Sequence, residues 1–262
     1  MLQNKTAAVN GTPVSYWENA ADEYTQTVVF FSPGALPGDH FEAFADFFPK
    51  NIRVISPDFP GIGKTPPIHH GSIADAGQLM HAFISHLELE EATLVGISYG
   101  GFILDKVLGI GRYKKAILIA TGEFYSPAFT LLINILSLPP RFSATARKIY
   151  KHLYTTHFSF ATRFLPEFDI TENTDLDDLL WLLLSGVNNR VDTRQRIETE
   201  TSLVLLKDDK FIGKQSVGKL QSRYVNSKIY FLDIRHTFPL NEAEGEELKA
   251  FLNKTLRKEV EE

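Results

Sequence analysis

The stretch from residue 93 to residue 108 constrains the fold of this chain most strongly. An apolar, β-branched run leads into Gly96-Ile97-Ser98-Tyr99-Gly100, and a helical pattern of apolar residues follows. This order predicts a strand that turns sharply into a helix at Ser98. A serine on such a turn points its hydroxyl away from the backbone, and glycines beside it avoid the collision that a Cβ would cause. Because a Gly-x-Ser-x-Gly pattern also arises by chance, its meaning depends on the rest of the sequence.

Strand and helix patterns alternate on both sides of this turn. An Asn-Gly hairpin signal lies within residues 5–18, and apolar strand patterns occupy residues 26–31, 52–56, 93–97, 116–120, 202–206 and 227–232. Helical patterns occupy residues 41–48, 73–87, 102–108 and 242–256. This alternation predicts an α/β fold whose mostly parallel, eight-stranded sheet is flanked by helices.

The alternation stops between residues 124 and 199, where helical segments rich in phenylalanine replace the strands. We interpret residues 124–199 as a helical insertion. Residues 1–123 and 200–262 then form the core domain that the insertion interrupts. A chain of 262 residues is long enough for one such domain with an insertion.

Composition excludes several classes of function. A net charge of −5 and the absence of a basic run argue against nucleic-acid binding. Without cysteine the chain has no disulfide, no thiolate metal site and no cysteine nucleophile. The N-terminus lacks a secretory pattern, and the longest apolar stretches are far shorter than the ~20 residues that span a bilayer. We therefore expect a soluble, cytoplasmic protein without a membrane partner; the sequence leaves its oligomeric state open.

Polar residues that follow predicted strands should share one edge of the sheet, because ligands bind at the carboxyl ends of parallel strands. These residues are Ser32, Asp58, Ser98, Glu123, Asp208, Asp209 and His236. A nucleophile, an acid and a histidine occur in the order Ser98, Asp209, His236. That is the chain order of a catalytic triad on this architecture.

Four segments together resemble the α/β-hydrolase fold family over essentially the whole chain. They are the turn at residues 96–101, the loop Pro57-Asp-Phe-Pro-Gly-Ile-Gly63, the turn Asp208-Asp-Lys-Phe-Ile212 and the segment His236-Thr-Phe-Pro-Leu-Asn-Glu242. The resemblance implies that Ser98 is the nucleophile and that His236 is its general base. It also implies that the helical insertion is a cap over the site.

The resemblance leaves the triad acid open. Asp209 fits best, because an apolar pair follows it as in the family, but Asp208 and Glu123 are alternatives. Glu123 is included because some family members carry the acid after the preceding strand. A different alignment places the acid at Lys210, which cannot serve.

The oxyanion hole needs two backbone N–H donors. The resemblance implies that Tyr99 supplies one and that the loop after residue 31 supplies the other. Here the chain has Ser32-Pro33-Gly34 where the family usually shows His-Gly. Because Pro33 has no N–H, Ala35 or Leu36 is the candidate donor.

Other chemistry-bearing patterns point to structure. We expect Asp58 to brace its loop by accepting backbone N–H bonds, and the other seven histidines fall in predicted loops or helices. Pairs such as His69-His70 lack further ligands at suitable spacing, so we expect no metal. The segment at residues 61–65 lacks the first glycine of a phosphate-binding loop, and we expect no cofactor.

These patterns predict a serine hydrolase that cleaves a carboxylic ester or a related acyl bond through an acyl-serine intermediate. A thioesterase, an aminopeptidase, a C–C bond hydrolase and a low-turnover binding protein on the same scaffold are the alternatives. A serine at residue 98 argues against dehalogenase or epoxide hydrolase chemistry, for which the resembling families use aspartate. The phenylalanines of the insertion suggest a small-molecule substrate with an apolar acyl or aromatic portion, but they fit the insertion's own core equally well.

Overall fold

The computed structural model describes residues 2–19, 23–34, 36–123, 130–131, 134–135, 143, 145, 148, 176–209, 211–236 and 240–257. An eight-stranded sheet runs through them in the order β1-β2-β4-β3-β5-β6-β7-β8. The strands are β1 (Leu2–Val9), β2 (Thr12–Asn19), β3 (Gln26–Phe31), β4 (Ile52–Pro57), β5 (Thr93–Ile97), β6 (Lys115–Ile119), β7 (Glu200–Leu206) and β8 (Ser227–Leu232). The β1–β2 and β2–β4 pairs are antiparallel and the others are parallel. The predicted eight-stranded, mostly parallel sheet is therefore confirmed.

The central strands are mostly apolar because both faces of the sheet are covered. Along β3, Val28 and Phe30 pack into one core, whereas Val29 and Phe31 pack into the core on the opposite face. All four side chains are fully buried. A sheet with two buried faces needs helices on each side, and the chain supplies them.

Five α-helices and two short 3₁₀-helices have their bounds within the described residues. They are α1 (Ile73–His86), α2 (Tyr99–Leu108), α3 (Leu176–Val187), α4 (Ser216–Arg223), α5 (Glu242–Arg257) and the 3₁₀-helices Gly38–Ala43 and Ala45–Phe47. The helix predicted at residues 41–48 is thus replaced by 3₁₀ turns, whose buried phenylalanines pack against Phe30. Helix α4 has no counterpart in the prediction.

The predicted insertion at residues 124–199 is described only in part. Helix α3 lies in it, and Ile197 pairs with Tyr224 as the chain returns to the sheet. All phenylalanines of residues 124–199, and also His152 and His157, lie outside the described residues. The cap and its boundaries therefore stay predictions. No helix of the described residues is long and apolar enough to cross a membrane.

Candidate active site

The turn after β5 holds Ser98 in an unusual backbone conformation. Ser98 has φ 51° and ψ −114°, and helix α2 begins at the next residue. The turn packs against the end of β3 so closely that a Cβ on Gly100 would collide with the carbonyls of Phe31 and Ser32. A Cβ on Gly96 would lie 2.9 Å from Gly101 Cα. The two glycines therefore permit the tight turn that exposes the serine hydroxyl.

Three side chains from distant parts of the sequence meet at this turn. The Ser98 Oγ lies 2.9 Å from His236 Nε2, and His236 Nδ1 lies 2.8 Å from Asp209 Oδ2. Ser98 follows β5, Asp209 follows β7 and His236 follows β8, so parallel strands bring them to one edge of the sheet. The structure therefore unites the three residues that chain order had grouped.

The Asp209 carboxylate is fixed by its own loop. Its Oδ1 accepts hydrogen bonds from the N–H groups of Phe211 (2.8 Å) and Ile212 (2.9 Å), which leaves Oδ2 facing His236. Burial alone would raise the pKa of this carboxyl. The hydrogen bond and charge of His236, with the two backbone N–H groups, outweigh burial and hold the pKa below its usual value. Asp209 thus stays ionised beside the imidazole.

The two alternative acids do not reach His236. Glu123 is buried, and its carboxylate accepts from the N–H of Val191 at 3.0 Å and from Lys219 Nζ at 2.8 and 2.9 Å. Asp208 is exposed. Of the three carboxylates considered, the structure brings Asp209 alone against the histidine.

The expected oxyanion donors are partly described. Tyr99 is the first residue of α2, where N–H groups have no partner within the helix. Leu36 is buried, and Ala35 lies outside the described residues, as does Lys210. Ser32, which stands in place of the family's histidine, is fully buried. The assignment of Tyr99 with Ala35 or Leu36 stays a prediction.

Asp58 occupies the bracing position expected of it. Its Oδ1 accepts from the Gly38 N–H at 2.7 Å and its Oδ2 accepts from the Lys64 N–H at 2.9 Å. Burial raises the pKa of this carboxyl more than these N–H groups lower it. Asp58 therefore ties the loop after β4 to the loop after β3.

No metal centre is evident in the described part of the chain, where no group of three His, Asp or Glu side chains could hold an ion. His69 stacks on His70, with ring centroids 3.9 Å apart, and His70 lies against Trp181 of α3. The two histidine rings therefore connect the loop before α1 with helix α3.

Two side chains beside the site were not singled out by the sequence. The Tyr99 hydroxyl donates to the Leu182 carbonyl of α3 at 3.0 Å, and the Phe211 ring lies 4.9 Å from the His236 ring. Their position next to Ser98 and Asp209 was visible in the sequence. The direction in which each side chain points was not.

The chain matches known proteins in sequence and in structure. The alpha/beta hydrolase family model matches residues 28–239. A structure of an esterase from Exiguobacterium antarcticum is similar with a TM-score of 0.73 at 15% identity, covering 98% of this chain and 100% of that one. An enol-lactonase from Burkholderia xenovorans gives a TM-score of 0.70 at 15% identity, with coverages of 98% and 100%. A serine hydrolase from Cycloclasticus zankles gives 0.66 at 18% identity, with coverages of 97% and 96%.

A search of curated protein sequences found no match. At identities this low the structural likeness shows the fold alone, whereas the family model covers most of the sequence, from β3 to beyond His236. The chain belongs to the alpha/beta hydrolase family.

Proposed function

We propose that this protein is a serine hydrolase that cleaves a carboxylic ester, or a related acyl bond, through an acyl-serine intermediate. The observation that carries the proposal is the continuous contact from Ser98 Oγ through the imidazole of His236 to the Asp209 carboxylate, at 2.9 and 2.8 Å. Serine is a weak nucleophile at its own pKa and needs such a base.

Acylation follows from this arrangement. Ser98 Oγ attacks the carbonyl carbon while His236 Nε2 takes the hydroxyl proton, and ionised Asp209 stabilises the imidazolium that forms. The N–H of Tyr99, with that of Ala35 or Leu36, would donate to the carbonyl oxygen as it becomes negative. The C–O bond to the alcohol then breaks, and His236 gives its proton to the departing oxygen.

Deacylation repeats the cycle with water. His236 takes a proton from a water molecule, whose oxygen attacks the acyl carbon. The acid then leaves, and the proton returns to Ser98 Oγ. The same three residues would act on a thioester, an amide or the C–C bond of a diketone. These alternative functions differ in the group that leaves the acyl carbon. We propose a small molecule with an apolar acyl or aromatic portion as the substrate.

Labelling with a fluorophosphonate probe tests the chemistry. We expect Ser98 Oγ of the wild type to displace fluoride and become phosphonylated. We expect Ser98→Ala to remain unlabelled. Ser222→Ala is a matched control, because this exposed serine lies on α4 and donates to the Gly218 carbonyl of its own helix. An unlabelled wild type would overturn the enzymatic proposal in favour of a binding protein.

The acyl preference is then measured with p-nitrophenyl esters of two to twelve carbons, beside matched thioester and anilide substrates. We expect ester hydrolysis to dominate, with kcat/KM rising from the shortest acyl chain. A larger kcat/KM on the thioester or the anilide would reassign the bond that is cleaved.

A further inference from the structure

We propose that Phe211 forms part of the subsite for the leaving alcohol, and that this subsite favours aromatic alcohols. The inference rests on the proposed serine hydrolase function and assigns the alcohol side of its substrate. It starts from a side chain that neither the triad nor the hydrophobic core requires.

Phe211 places an apolar ring on the catalytic base. Its ring centroid lies 4.9 Å from that of His236, and the ring planes are inclined by 48°. The His236 side chain is only 13% exposed, whereas Phe211 is 39% exposed. The phenyl ring therefore covers part of the imidazole and remains accessible to a ligand.

The ring is held by a fixed backbone. The Phe211 N–H donates to Asp209 Oδ1, and two residues later the Gly213 N–H donates to the Glu123 carbonyl at 2.9 Å. Between them Ile212 is buried in the core. The backbone is thus anchored at Phe211 and at Gly213, and the carboxylate that contacts His236 also holds the backbone that carries the phenyl ring.

The chemistry determines which part of a substrate comes near this ring. The acyl group becomes attached to Ser98, but the alcohol oxygen must approach within about 2.6–3.2 Å of His236 Nε2 to receive its proton. Substituents on that oxygen extend past the imidazole. Phe211, which covers the imidazole, is therefore placed to contact the alcohol rather than the acyl chain. An aromatic ring in this position offers a rigid apolar surface to another aromatic ring.

Two esters with one acyl group and different alcohols test the inference. We expect the ratio of kcat/KM for the benzyl ester to that for the methyl ester to fall about tenfold in Phe211→Ala, since an aromatic contact is lost. Phe211→Leu, which keeps an apolar side chain, should show a smaller fall. Tyr24→Ala is the control, because Tyr24 is 52% exposed but precedes β3 at the opposite edge of the sheet. The ratio of the two kcat/KM values in Tyr24→Ala should equal that of the wild type.

Acyl transfer gives a second readout through the same subsite. When benzyl alcohol replaces water, His236 takes the alcohol proton, the new C–O bond forms and Ser98 Oγ leaves with that proton. We expect Phe211→Ala to yield less benzyl ester relative to methyl ester when both alcohols compete for the acyl-enzyme. A purely structural role would lower both products equally.

The outcomes separate the two proposals. If the wild type is not labelled by the fluorophosphonate, the serine hydrolase function itself fails. If labelling occurs at Ser98 but Phe211→Ala keeps both the kcat/KM ratio and the product ratio within twofold of wild type, the alcohol subsite is wrong and the enzymatic function stands. A fall in both ratios, with labelling retained, supports the subsite.

Discussion

At the scale of single residues, Ser98 is held in a backbone conformation that its neighbours must maintain. A non-glycine residue at φ 51° and ψ −114° costs about 1–3 kcal/mol. The Ser98 N–H donates to the Ile119 carbonyl at 2.8 Å, and its carbonyl accepts from the Phe102 N–H at 3.1 Å. The turn is therefore tied to the sheet on one side and to α2 on the other. This keeps Oγ directed at His236.

The choice between Asp209 and Glu123 as the partner of His236 shows the limit of prediction from sequence. Asp209 and Glu123 both follow strands, and in the sequence only the apolar pair Phe211-Ile212 favoured Asp209. The Glu123 carboxylate forms an ion pair with Lys219 instead. Lys219 lies on α4, a helix that the sequence patterns did not predict. This contact joins residues 96 positions apart, so no local pattern could have predicted it.

Matched carboxylate-to-amide changes test the assignment. We expect Asp209→Asn to lower kcat about 10⁴-fold, because an amide cannot hold the imidazole in the required tautomer or stabilise its charge. Glu123→Gln should lower Tm through loss of the contact with Lys219 while Ser98 still reacts with the fluorophosphonate. Turnover of a p-nitrophenyl ester by both variants gives the comparison. Loss of turnover in Glu123→Gln alone would transfer the role of the acid to Glu123.

The pH dependence of stability probes the same carboxylate. Since the pKa of Asp209 in the folded protein lies below its unfolded value of about 3.9, the ionised group stabilises the fold above that value. The contribution is lost as the pH falls through the lowered pKa. The Tm difference between wild type and Asp209→Asn should therefore shrink from about pH 6 to about pH 3. The exposed Asp208→Asn is the control, and a difference that grows with acidity would contradict the prediction.

At the scale of elements, strands were easier to predict than helices. The predicted bounds of β3 and β8 coincide with the observed ones, because each strand contains an apolar, β-rich run that ends at polar or turn residues. Helix α4 was missed because Ser216–Arg223 contains Gly218 and has only Val217 and Leu220 as apolar residues. Tertiary contacts hold it instead, since Leu220 and Arg223 are buried.

Helix α3 packs on Tyr99, the residue that follows Ser98. The Leu182 carbonyl accepts from the Tyr99 hydroxyl at 3.0 Å and from Ser185 Oγ at 2.7 Å. Ser185 Oγ in turn accepts from the Ile73 N–H at the start of α1. Gly186 gives the tyrosine ring its space, because a Cβ there would lie 2.6 Å from the ring. Helix α3 therefore contacts the turn at Ser98 through the close packing of Gly186 against the Tyr99 ring.

Two glycine-to-alanine changes in helices should move stability in opposite directions. Gly186→Ala should lower Tm, because the new methyl group forces α3 and the Tyr99 ring apart. Gly218→Ala, at an exposed position of α4, should raise stability by up to about 1 kcal/mol from helix propensity. Among the described residues no heavy atom beyond its own helix turn lies within 4 Å of the place that a Cβ on Gly218 would take, so the methyl group meets open space. Thermal unfolding of both variants is the measurement. An equal rise in Tm would show that the contact between Gly186 and the Tyr99 ring has room for a methyl group.

At the scale of the whole molecule, one buried polar cluster joins segments that are far apart in sequence. Arg223 Nε donates to Asp105 Oδ1 at 2.7 Å, and the Tyr224 hydroxyl donates to the same oxygen at 2.6 Å. Arg223 also donates to the Asp192 carbonyl at 2.9 Å. The cluster connects α2, which begins directly after Ser98, with α4 and the chain returning from α3. Asp105 and Arg223 are 118 positions apart, so no local pattern could have paired them.

Loss of one charge from this cluster should destabilise the entire fold. The side chains of Asp105 and Arg223 are only 4% and 2% exposed. Asp105→Asn retains an oxygen acceptor but leaves the guanidinium buried without its counter-charge, which we expect to cost about 3–5 kcal/mol of unfolding free energy. Asp233→Asn is the matched control, because the Lys207–Asp233 pair is 52% and 64% exposed and exposed ion pairs contribute little to stability.

Urea denaturation of the three proteins measures the difference. We expect the midpoint of Asp105→Asn to fall well below that of the wild type and that of Asp233→Asn to stay close to it. The m-values should be unchanged if unfolding remains a single transition, since the same surface becomes exposed. Equal midpoints for the two variants would show that the cluster contributes no more than a surface ion pair. A lower m-value in Asp105→Asn would instead show that α4 and the returning segment detach before the sheet unfolds.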